Sequence, residues 1–149
     1  MATDLVSSDL IMLGTIHRDP QGPQRLGQAL ARLAWGLVSV EVSPYGLIFR
    51  RRQGPDLLAR LEASLPQAAG QAGLAGLDLA TAGEHPALAW LRAYLAPPFE
   101  WQEARRQAAR RGAPCVASDF SALSRRLLAD AHELVSVANL AQVLAAPPP

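Results

Sequence analysis

Three apolar runs of strand length constrain this chain more than any other feature, because each delivers a residue able to do chemistry. Leu10–Ile16 leads into His17, Arg18 and Asp19. Leu37–Ser43 carries Glu41, and Pro114–Phe120 carries Asp119. Between the runs, apolar residues recur at helical spacing: Leu26, Leu30 and Leu33, then Leu57, Leu58 and Leu61, then Leu88, Leu91 and Leu95. Strand alternating with helix predicts an α/β domain: a small, mostly parallel sheet with helices on both faces and three recognisable βα units. Right-handed crossovers would bring the three strand ends to one rim, where sites in open parallel sheets form.

Local signals place the elements. Gly14 lets the first strand turn or approach a neighbour closely. Pro23 suits the first turn of a helix that runs to about Trp35 and ends at Gly36. In the second strand Val38, Val40 and Val42 alternate with Ser39, Glu41 and Ser43. A strand covered on both faces should be apolar on both, so the polar face predicts a cavity near its end. Ser43-Pro44 then reads as a hydroxyl cap followed by a first-turn proline. Helix is expected from Gly46 to Leu65, broken at Gly54-Pro55. Gln67–Gly83 reads equally as a weak helix or an ordered loop. Pro86 starts another helix, which Pro97-Pro98 ends. Phe99–Arg111 reads as a polar, arginine-rich helix stopped by Gly112. Ser121 is expected to cap a helix through Leu123, Leu127, Leu128 and Ala131, and Val135–Ala146 forms the last helix before a Pro147–Pro149 tail.

Composition narrows the classes. At 149 residues, half of them apolar, the chain fits one domain with a real core. A net charge of +1 gives no argument for nucleic acid or a membrane surface as partner. All 14 basic residues are arginine, which removes Schiff-base chemistry and phosphate-loop lysines. Cys115 is the one cysteine, so neither an intrachain disulfide nor a cysteine-cluster zinc site can form; it reads as core. No signal peptide or membrane span is apparent in the first residues, and the expected compartment is cytoplasmic.

The candidate site is the set of strand ends. His17 and Glu41 together suit a divalent metal, or a base and its orienter. Arg18, and Arg50 further on, could hold an anionic group or neutralise developing charge. Each residue has a plainer reading. His17 could be a hydrogen-bonded loop residue, and Asp119 could serve only to cap the following helix. Glu41 is harder to set aside, since an unpaired buried carboxylate is costly. The arginine clusters read as solvated helix faces, and His85 and His132 as structural.

Gly14-Thr15-Ile16-His17 followed one helix later by Val40-Glu41-Val42 resembles the TraB/PrgY/Tiki-like family, itself similar to the erythromycin-esterase and ChaN-like superfamily. Gly112–Asp119 leading into Ser124-Arg125-Arg126 is similar to that family's later strand and basic helix. The resemblance covers the first fifty residues and roughly 112–128. It implies a metal-assisted hydrolase of small molecules or peptides, in which His17 and Glu41 hold a divalent metal or act as the catalytic pair, with Asp119 and Arg18 assisting. A second Gly-x-x-His, usual in the family, does not occur here. On that pattern residues 1–149 correspond to one half of a duplicated architecture, and a homodimer would restore two histidines and two glutamates. The missing motif also favours an alternative: a non-catalytic metal, haem or peptide binding protein on the same scaffold. A third reading is an interaction domain whose polar strand ends are merely satisfied.

Overall fold

The computed structural model describes residues 10–17, 19–74 and 85–146. Among these the chain is mostly helical around a two-stranded parallel sheet. The elements in order are α1 (Gly22–Arg32), β1 (Val38–Val40), α2 (Pro44–Arg52), α3 (Gly54–Gln71), α4 (Pro86–Leu95), α5 (Phe99–Arg111), β2 (Cys115–Ala117), α6 (Ser121–Leu127), α7 (Ala131–Leu134) and α8 (Val137–Ala145). Two βα units are present, β1–α2 and β2–α6, and the strands pair in parallel with Val38 opposite Cys115 and Val40 opposite Ala117.

The first expected strand does not form. Residues 10–16 join no ladder, and Leu10 and Met12 are 86% exposed. The period of a strand is nonetheless visible: Ile11 and Leu13 are about half covered while their neighbours Leu10 and Met12 point out. An apolar run supplies propensity, but a strand needs a partner edge, and here β1 and β2 use one edge of each on one another. The other two strands are shorter than expected for a local reason. The Val42 N–H turns back to the Val40 carbonyl (2.8 Å), a three-residue turn that bends the chain out of the ladder. The pair stays stitched beyond it by Ser118 N–H to Val40 (3.0 Å) and Asp119 N–H to Val42 (3.2 Å).

Helices on both faces are also not what the described residues show. α5 packs broadly on the strands, while Ser39 and Val116 on the opposite face are exposed. The principal core lies elsewhere, where α3, α4 and α8 meet. Leu57, Leu61, Leu88, Leu95 and Leu140 are fully buried there, with Phe49, Leu128 and Val135 closing its edges. The leucine spacings of α3 and α4 thus face the core as expected. Leu123 and Leu127 of α6 do not: both are more than half exposed, and Leu128 and Ala131 are buried instead.

Caps explain several boundaries. The Ser43 hydroxyl accepts from Gly46 N–H (2.8 Å) with Pro44 in the first turn, and α5 ends at Gly112 in the left-handed region (φ +65°), where a side chain would be strained. Ser121 departs from its expected role. Phe120 occupies the cap position, and the Ser121 hydroxyl accepts from the Tyr45 N–H (3.2 Å), tying α6 to α2. α1 stops at Arg32, three residues before Trp35, because Arg111 takes over its free carbonyls. That guanidinium donates to Leu30, Ala31 and Leu33 (2.9, 2.8 and 2.7 Å) and lies 4.7 Å from the centre of the Trp35 ring. The Pro147–Pro149 tail and the start of the chain lie outside the described residues.

Candidate functional site

α1 runs beside α5 at unusually short range, and this positions His17. A Cβ on Gly22 would fall 2.5 Å from the Phe99 ring, and one on Gly27 would meet the Glu103 carboxylate, so only glycine admits this approach. The turn before α1 is fixed by Asp19, whose carboxylate accepts from Gln21 N–H (2.9 Å) and from Arg25 (3.0 Å). The Asp19 N–H in turn donates to the Ile16 carbonyl (2.9 Å). With both ends held, His17 meets the first turn of α5.

There its Nδ1 lies 2.6 Å from Oε1 of Glu100, and the Thr15 hydroxyl donates to the same oxygen at 3.1 Å. The imidazole is 81% exposed and the carboxylate 8%. With the carboxylate as acceptor, Nδ1 is the ring nitrogen that donates in this contact. The other carboxylate oxygen, Oε2, is buried with no hydrogen-bond partner among the described residues. A buried acceptor without a donor carries a desolvation cost, which makes Glu100 an expensive residue for packing alone.

The remaining expected residues fall out as follows. Glu41 and Asp119 both sit at the carboxyl ends of the parallel pair, as β1 and β2 require. Glu41 is exposed, and no hydrogen bond or ion pair joins it to His17 among the described residues. Asp119 accepts from Phe120 N–H at 2.6 Å. Arg18 lies outside the described residues. Arg50 is structural: its Nε donates to the Tyr94 carbonyl (2.8 Å), and burial lowers its pKa from the ordinary guanidinium value. His85 caps α4 by accepting from Ala87 N–H (3.3 Å), and His132 accepts from Arg60 (3.2 Å). Burial pushes the Cys115 thiol up, against the opposing charge of Arg105, which makes it a poor nucleophile. Among the described residues, no three His, Cys, Asp or Glu side chains converge as a metal cage.

Glu100 is the residue that sequence reasoning missed. A glutamate in the first turn of a helix ordinarily reads as a complement to the helix dipole. Nothing local reveals a partner 83 positions away. The two glycines of α1, Gly22 and Gly27, were the one available signal, since a missing Cβ lets a neighbour come close.

A hollow of about 710 Å³ opens between α2 and α5. Pro44, just past β1, and Ala117, the last residue of β2, line it together with Pro97 and Trp101 at the start of α5. The start of α5 therefore lies at the carboxyl rim of the sheet. Leu47, Ile48 and Trp101 give the hollow an apolar wall, and Arg51 and Arg105 give it positive charge from two sides. His17 and Glu100 are not part of its lining. Arg106, also at its edge, is engaged by Glu103 at 2.6 and 2.7 Å.

No family model matches the chain, and neither a curated protein nor a solved structure matches it. No described helix is long and apolar enough to cross a membrane.

Proposed function

We propose that the chain carries a hydrolytic site of the TraB/Tiki-like kind centred on His17, with Glu100 as its positioning residue. The observation that carries this reading is the 2.6 Å contact between an exposed imidazole and a buried carboxylate. A carboxylate at Nδ1 fixes the tautomer and ring orientation and leaves Nε2 to take a proton from water or to meet a metal. Among the described residues no third ligand converges on His17. The proposed water activation falls to the imidazole that Glu100 holds through Nδ1. A divalent ion would need His17 and Glu41 to be supplemented, and a second copy of the chain is the proposed source. Asp119 at the rim, and Arg18 next to His17 in sequence, would then serve substrate or developing charge.

Turnover of a panel of esters, lactones and peptides, read beside the metal content of the purified protein, tests this. Activity lost in both His17→Ala and Glu100→Ala, with the fold retained by circular dichroism, supports it. Full activity in His17→Ala defeats it. Stoichiometric metal lost in His17→Ala and Glu41→Ala would add the metal-assisted form.

The 710 Å³ hollow favours a second reading, binding without turnover. Its apolar wall, Trp101 and two arginines suit a flat or extended anion such as haem or an acidic peptide. Saturable quenching of tryptophan fluorescence by such a ligand, with no turnover of the panel, would favour it over hydrolysis.

A further inference from the structure

Large apolar side chains lie outside the core along two strips. The first is Leu10, Met12 and Ile16, the outward side of the unpaired strand-length segment; Ile16 is 74% exposed. The second is Val116, on the bare face of β2, with Phe120, Leu123 and Leu127. Phe120, at the cap of α6, is 82% exposed, and Leu123 and Leu127 share one stripe of that helix. Residues 10–16 carry no charge, while the second strip holds Asp119, Arg125 and Arg126 between Val116 and Leu127. A partner of one charge sign is thus not what these strips fit.

Their area decides what is. Counted with Leu37, and at roughly 150–200 Å² for each fully exposed side chain, the eight residues present on the order of 800–1,000 Å². A standard interface takes about 800 Å² from each side, which the two strips together match. Among the described residues the first strip lies in a strand-length segment that joins no ladder, and the second flanks a sheet covered on one face. Both needs sit on one chain, so a two-fold axis satisfies each twice.

We infer that two copies of this chain pair about a two-fold axis, with Leu10, Met12 and Ile16 of each lying on Val116, Phe120, Leu123 and Leu127 of the other. His17 follows the first strip directly and Asp119 lies within the second. The pairing therefore carries each imidazole toward the other copy's strand ends; that consequence rests on the proposed site, the pairing does not.

Sedimentation equilibrium of the full chain at micromolar concentration should return twice the 15.9 kDa of one copy. Met12→Asp and Phe120→Arg should each return a single copy with unchanged helical circular dichroism. An equimolar mixture of the two should regain the doubled mass, since one contact becomes an ion pair and the reciprocal one is native. A wild-type monomer, or doubled mass retained by both variants, or a mixture that stays monomeric while both are folded, overturns the inference. If either variant fails to fold, Leu127→Gln replaces it and must shift the mass toward one copy. A monomer that still hydrolyses removes the pairing alone, and a dimer without turnover removes the proposed site alone.

Discussion

An imidazole four-fifths exposed takes its orientation here from a carboxylate almost wholly removed from water. Glu100→Gln keeps the shape and removes the charge, so Nδ1 is left with at most a neutral amide oxygen in place of the carboxylate. Loss of such a supporting partner costs about 10–100-fold in activity or metal affinity. Steady-state rates on whichever substrate the panel identifies should fall by that factor in Glu100→Gln, while Glu41→Gln tests the metal separately. Glu103, one turn further along α5, gives a pH effect of known sign. Burial pushes its carboxyl up, but hydrogen bonds from Arg106 and Gln107 together with the charges of Arg106 and Arg110 outweigh this and hold it below the usual carboxylate range. A depressed folded pKa stabilises above the unfolded value, about 4.3 for glutamate, and that stability is lost as pH falls through the folded one. Urea midpoints should therefore drop below about pH 4, and Glu103→Gln should shrink the drop.

Among the elements, α1 and α5 depend on small residues and on one arginine. Gly22→Val would drive two methyl groups into the Phe99 ring and should cost about 1–3 kcal/mol in urea denaturation. It should also loosen the contact between His17 and Glu100. Arg111 closes α1 by donating to three of its last carbonyls. Arg111→Ala should cost about 1–3 kcal/mol, the worth of charge-assisted bonds to one exposed cation. Helix starts were legible because proline and hydroxyl caps act within a turn, as Ser43-Pro44 and Pro86 do. The end of α1 was not, because its capping group arrives from the far end of α5. The first strand was misread for the same kind of reason: its pattern is local, but its ladder partner is not.

For the molecule as a whole, stability rests on the three-helix layer of α3, α4 and α8 rather than on the sheet. Leu61→Ala, fully buried, should cost about 2–5 kcal/mol by chemical denaturation. Leu127→Ala, more than half exposed, should leave monomer stability within about 0.5 kcal/mol and act instead on the sedimenting mass. The leucine periods of α3 and α4, the proline breaks and the parallel pairing implied by strand–helix alternation were present in the order of residues. They depend on interactions within a few positions, or on connection handedness, which any chain of this pattern must obey. Which strand stayed unpaired, which face of the sheet stayed bare, and which carboxylate met His17 were settled only in three dimensions. Those outcomes depend on how closely α1 can approach α5, a matter of side-chain volume between segments more than 70 residues apart.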